Sequence, residues 1–155
     1  MASWSEVEGE APELAALARR YLDLNKHKVL ATLRRDGSPR VSGTEVQFAD
    51  GELWLGSMPR ALKARDLQRD PRFALHCGPL DPEAGWTGDA KLGGRAEEIT
   101  DPELRAARLG KSFGDSHLFR AAIDELSVVR LGEPPDHLVI EAWHAGRGVS
   151  RSERR

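Results

Sequence analysis

Four residues that could hold a phosphate group crowd one short stretch of this chain: Ser57, Arg60, Lys63 and Arg65. They sit within LWLGSMPRALKARDLQRDPRF, residues 53–73, which reads as strand, turn, basic helix, proline stop and next strand. Trp54 and Leu55 alternate with smaller residues, as in a half-buried strand. Ser57 is placed to cap the helix, and Pro59 suits a first helical turn because its missing N–H costs nothing there. Pro71 closes the helix, since a residue before proline avoids the α region. Arg60, Lys63 and Arg65 then lie near the positive end of the helix dipole, at a cost of roughly 0.3–1 kcal/mol for each cation. A bound anion reverses that cost, because free N–H groups and cations converge on one phosphate. The same pattern also describes a solvated basic helix face on a protein that binds its ligand elsewhere.

Other chemistry is not marked. There is no Walker loop, no strand-linked G-x-G-x-x-G and no G-x-S-x-G elbow. The histidines (His27, His76, His117, His137 and His144) form no i,i+4 pair and no H-E-x-x-H, so no metal site is indicated. The single cysteine, Cys77, reads as a packed strand residue, and its neighbour His76 points to the opposite face. With no side-chain nucleophile in view, any chemistry is expected from a bound cofactor. The formal net charge of -2 gives no global basic field for nucleic acid. No apolar run approaches membrane-spanning length, and Glu6, Glu8 and Glu10 make the N-terminus unlike a signal peptide. A cytoplasmic location is the expectation.

The elements that must position these residues follow from periodicity. At 155 residues one domain is expected, with loosely ordered ends at 1–11 and 146–155. Leu14, Leu17, Ala18 and Tyr21 repeat at helical spacing, so residues 12–23 read as an amphipathic helix lying across a sheet. The period then drops to two. Residues 27–33, 40–48 and 52–57 read as strands joined by turns at Asp36-Gly37 and Asp50-Gly51, an antiparallel meander. On the second strand Arg40, Ser42 and Thr44 share a face. That face is either turned to solvent or a polar floor under a flat ligand. Further strands are expected at 72–77, 87–99, 127–131 and 136–144, with a bulge or close backbone approach at Gly93-Gly94. Residues 79–86 read as a loop closed by Trp86, Thr100 and Glu103 bracket a helix reaching Leu109, and 111–126 read as another helix. Six or seven antiparallel strands with peripheral helices make a small barrel of the α+β class.

Taken together, the residues resemble the pyridoxamine 5′-phosphate oxidase-like family of flavin-binding split β-barrels. The likeness covers about residues 25–145 and is strongest in G-S-M-P-R-A-L-K-A-R-D-L-Q-R-D-P, residues 56–71, with Arg72 after it. The resemblance implies a homodimer with two cofactor sites at the subunit interface, which would also bury part of a modest core. It implies FMN, or the deazaflavin coenzyme F-420, as cofactor for hydride transfer to a small organic substrate. Lys63 would hold the phosphate beside Gly56, Ser57 and Met58. Arg40, Ser42 and Thr44 would lie along the ring or ribityl chain. Trp143, within Glu141-Ala142-Trp143, and Arg154 would close the site from the other subunit. The chain departs from the family's namesake in two places. Leu62-Lys63 stands where an arginine-lysine pair is expected, and the tail VSRSERR lacks a substrate-gripping arginine-leucine-histidine segment. Pyridoxamine phosphate oxidation is therefore not the expected reaction. The alternative is a non-enzymatic flavin-binding or haem-binding barrel, with His76 or His137 as haem ligands.

Overall fold

A computed structural model describes every residue except 79, 80, 82, 84 and 111–113, and among the described residues nine strands and four helices follow one another. The order is α1 (Trp4–Glu10), α2 (Pro12–Asp23), β1 (Lys28–Leu33), β2 (Pro39–Thr44), β3 (Val46–Ala49), β4 (Glu52–Ser57), α3 (Leu62–Arg69), β5 (Arg72–His76), β6 (Gly88–Glu98), α4 (Pro102–Leu109), β7 (His117–Leu131), β8 (Leu138–His144) and β9 (Gly148–Arg154). All pairings are antiparallel, in the sheet order β2-β1-β5-β6-β7-β4-β3, with β8 on β7 and β9 on β8. The expected split-barrel, α+β architecture is present, with two more strands than expected. No helix among the described residues is long and apolar enough to cross a membrane.

The first extra strand arises where the expected second strand breaks. Glu45 belongs to neither β2 nor β3. β2 stays with β1, while β3 pairs with β4 through the Asp50-Gly51 turn, whose φ values of 53° and 75° fit a tight hairpin. The meander is thus bent in its middle strand, and the two halves finish at opposite ends of the sheet order. The second extra strand is the tail: residues 148–154 are not loosely ordered but pair with β8 along their whole length.

The N-terminus is also ordered, against expectation. Ser3 and Glu6 form a capping box for α1, and Trp4 is buried with its ring centroid 4.7 Å from that of Phe48. Ala2 exchanges two backbone hydrogen bonds with Ile123, at 2.9 and 2.7 Å.

Residues 117–126, expected to be helical, are the first part of β7; residues 111–113 of that segment lie outside the described residues. The run HLFRAAIDEL carries both periods, with Phe119, Ala121 and Ile123 alternating and Leu118, Ala122 and Leu126 at helical spacing. Pairing with β4 on one edge and β6 on the other decides for strand. The bulge expected at Gly93-Gly94 is there: the β6–β7 register shifts between these residues. A Cβ on Gly94 would collide with the Ala122 carbonyl oxygen. The helix near 100–109 is α4, capped by Asp101, whose side chain accepts from Leu104 N–H at 3.0 Å.

Candidate functional site

The bend at Glu45 leaves a gap between β2 and β3, and that gap is one wall of a cleft of about 540 Å³, within the usual size range for small-molecule sites. Gly43, Thr44 and Val46 line it from the bend, Trp54, Gly56 and Ser57 from β4, and Lys63 from α3. The end of α4 (Arg108, Leu109) and the approach to β7 (Ser116, Leu118) close the other side. A Cβ on Gly56 would come 3.3 Å from Cδ2 of Leu109, so the end of α4 packs close over this glycine.

Lys63 is the central cation. Its Nζ donates to the Gly43 carbonyl at 2.8 Å, across from α3 to the open end of β2. Burial holds its pKa below the ordinary lysine value. A half-buried ammonium with one carbonyl acceptor has N–H groups left for a ligand. The first turn of α3 adds to this: Ala61 occupies the N-cap and offers no side-chain acceptor, and no acidic residue lies in that turn. Ser57 does not cap the helix as expected. It ends β4, and residues 58–61 form a turn before α3, with Ala61 N–H bonded to the Met58 carbonyl at 3.2 Å and Arg60 at φ 61°. That turn is tied down by His117, whose Nε2 accepts from Arg60 N–H at 3.3 Å while Nδ1 lies 2.7 Å from Glu98. The Glu98 carboxyl is pushed up by burial, but hydrogen bonds from His117 and Gln68 outweigh this and leave it below its ordinary pKa.

Arg108 brings a second cation that local sequence does not mark. Its guanidinium lies 5.6 Å over the Trp54 ring and pairs with Asp50, and Gln47 donates to its backbone carbonyl at 3.2 Å. The Arg108 Nε–H is buried with no hydrogen-bond partner among the described residues. A half-buried ammonium and a guanidinium that both line one cleft beside the Trp54 ring fit an anionic ligand with a flat, partly apolar body.

The expected site residues divide. Thr44, Gly56, Ser57, Met58 and Lys63 come together in the cleft. Ser42 is half-buried next along β2 and does not line it. Arg40 turns to α3 instead, its Nε 2.7 Å from Asp66. Trp143 is fully buried in the core of its own chain and donates from Nε1 to Glu10 at 2.8 Å, so it is unable to reach out to a partner's cofactor. Arg154 is exposed on β9, outside the cleft of its own chain. Neither haem candidate lines the cleft; His137 Nδ1 lies 2.7 Å from Asp136, and His76 Nδ1 accepts from Gly78 N–H at 3.1 Å. Trp86 is half-buried, and parts of the 79–86 loop lie outside the described residues.

The family model for pyridoxamine 5′-phosphate oxidase matches residues 15–131, which include every cleft residue named above. This chain belongs to the pyridoxamine 5′-phosphate oxidase family. Among solved structures of the same fold, PhzG from Burkholderia lata 383, in complex with tetrahydrophenazine-1-carboxylic acid, matches with a TM-score of 0.65 and 14% identity over 96% of both chains. A haem-binding protein from Mycobacterium smegmatis matches at 0.61 and 17% identity, over 93% of this chain and 88% of that one. A protein of unknown function from Agrobacterium tumefaciens matches at 0.59 and 22% identity, over 79% of this chain; the chain spans 58% of that protein's length. At these identities the likeness is one of fold, and two of these proteins of the same fold bind different ligands.

Proposed function

We propose that the cleft holds FMN, or the related deazaflavin coenzyme F-420, and that the chain is an oxidoreductase acting on a small organic substrate. The observation that carries this reading is Lys63, a half-buried ammonium bonded to a single carbonyl at 2.8 Å in the cleft of a family member. Lys63, the Ser57 hydroxyl and the uncapped first turn of α3 would bind the phosphate. Thr44 and the backbone of Gly43 would orient the ring system, and Trp54, Leu109 and Leu118 would exclude water from it. A bound flavin supplies the hydride chemistry, so the protein needs no nucleophile of its own.

The active form in this reading is a homodimer with the cofactor at the interface. Three exposed large apolar side chains, Val41, Met58 and Leu62, stand on the segments bordering the cleft and would be covered there. Arg154 from the second subunit would complete the site. The haem-binding alternative rests on a likeness of fold, and neither His76 nor His137 lines the cleft.

Fluorescence titration with FMN and with F-420 tests the proposal. Saturable binding of one of them is expected, and Lys63→Ala should weaken it by at least about tenfold, or about 1.4 kcal/mol. A protein that binds neither cofactor overturns the reading, and unchanged affinity in the variant removes Lys63 from the site. Reduction by a donor followed by reoxidation by a substrate separates an enzyme from a cofactor carrier.

A further inference from the structure

A second depression, of about 490 Å³, lies on the other side of α3 from the cleft. Leu62, Arg65, Asp66 and Arg69 present one helical face to it, and the β1–β2 hairpin adds Arg34, Arg35 and Arg40. Against these five arginines stand two carboxylates, Asp36 and Asp66. The patch therefore carries a formal excess of about three positive charges on a chain whose net charge is -2.

The carboxylates are already spent. Asp36 accepts from the Ser38 N–H and hydroxyl at 2.9 and 2.6 Å. Asp66 is buried and takes Arg40 Nε at 2.7 Å and an Arg69 terminal amino group at 3.0 Å. That leaves guanidinium donors over. The Arg35 and Arg65 side chains have no hydrogen-bond or ion-pair partner among the described residues, and Arg40 engages Asp66 only through Nε. Arg40 and Arg69 are held in place by a buried anchor, so part of the ordering entropy is already met before any ligand arrives. Like charges gathered this closely repel one another, and an oxyanion relieves that repulsion while matching the planar fork of each guanidinium.

We propose that this depression is a binding site for a small, multiply charged anion, distinct from the cofactor cleft. The two are separated along β2. Arg40 serves one and Thr44 the other, about 13 Å apart at the usual rise of a strand. Phosphoryl and carboxylate oxygens satisfy the same guanidinium geometry, so the ligand class is an oligophosphate or a polycarboxylate, and the two arms of the test tell them apart.

The test is calorimetric titration of the intact protein with pyrophosphate and, separately, with citrate. Saturable binding of one equivalent per chain is expected for at least one of them, weakening as salt is raised because the patch is exposed. The double variant Arg35→Ala/Arg65→Ala removes two side chains that anchor nothing. It should keep its circular dichroism and its cofactor affinity, and bind the preferred anion roughly tenfold or more weakly. Lys63→Ala should leave anion binding unchanged. Absence of saturable binding for both probes, undiminished binding in the double variant, or loss of binding in Lys63→Ala each overturns the proposal. Failure of the cofactor titration leaves it standing, since no cleft residue enters the argument.

Discussion

Asp66→Ala is expected to destabilise the fold by about 3 kcal/mol. Asp66 joins three elements: Oδ2 accepts from Thr32 Oγ1 on β1 and Arg40 Nε on β2, both at 2.7 Å, and Oδ1 accepts from Arg69 at 3.0 Å. Truncation leaves the buried Thr32 hydroxyl without a partner, at about 1–3 kcal/mol. The arginines lose their counter-charge but are 21% and 33% exposed, so they rehydrate in part and the full penalty of a sealed ion pair does not apply. Asp66→Asn keeps an acceptor for Thr32 and should lose less, about 2 kcal/mol. Urea unfolding with an unchanged m-value checks both. A loss below about 1 kcal/mol in the alanine variant would remove Asp66 from the tie between α3 and the sheet.

The same carboxyl sets an acid dependence. Burial raises its pKa, but the hydrogen bonds from Arg40, Thr32 and Arg69 outweigh burial, and the folded value lies below the ordinary one. The stabilisation is therefore fully present above the unfolded pKa of about 3.9 and fades as pH falls from there through the folded value. Wild type and Asp66→Asn should differ most near neutral pH and converge in acid. A gap that stays constant down to strong acid would assign the stabilisation to another group.

Trp143→Ala should cost more, about 3–5 kcal/mol, because a fully buried indole is replaced by a cavity in the main core. Glu10, its hydrogen-bond partner, is exposed and rehydrates, so packing carries nearly all of the loss. The informative companion is Trp143→Phe. It keeps most of the volume and should lower stability while leaving flavin affinity within about twofold, since the side chain does not reach the cleft. A large fall in affinity with intact stability would instead place this residue against the cofactor.

The parts of the chain that were legible in sequence are those specified within a few residues. Asp50-Gly51 dictates a hairpin because both positions take positive φ, and Gly93-Gly94 marks a bulge because no Cβ fits against Ala122. The grouping of Ser57 and Lys63 in the cleft was readable for the same reason. Its helix was placed too early, because Pro59 suits a turn as well as a first helical position, and the turn holding Arg60 depends on His117, 57 residues away. Arg108 reaches the cleft only through α4 docking on the β3–β4 hairpin, where it meets Gln47 and Asp50, a contact with no local signature. Residues 1–11 and 148–154 lacked a core-facing pattern of their own. Their order comes from Ile123, Phe48 and β8, so composition alone made them look loose. Trp143 was placed by analogy: Glu141-Ala142-Trp143 gives no sign of which face of the strand turns inward until β8 is paired with β7.

β7 is the strand on which the rest depends, and its partners come from almost the whole length of the chain. One edge is taken by β6, and the other passes from β4 at His117–Ala121 to Ala2 at Ile123 and then to β8 from Glu125 onward. Those partners range from residue 2 to residue 144. During synthesis β7 has only part of its ladder available until His144 has emerged, and until then it presents an unpaired, largely apolar edge. Folding should accordingly be slow for a protein of this size, since many distant loops must close before the ladder is complete. Yield in a heterologous host should rise when translation is slowed by cooling or when a chaperone shields that edge.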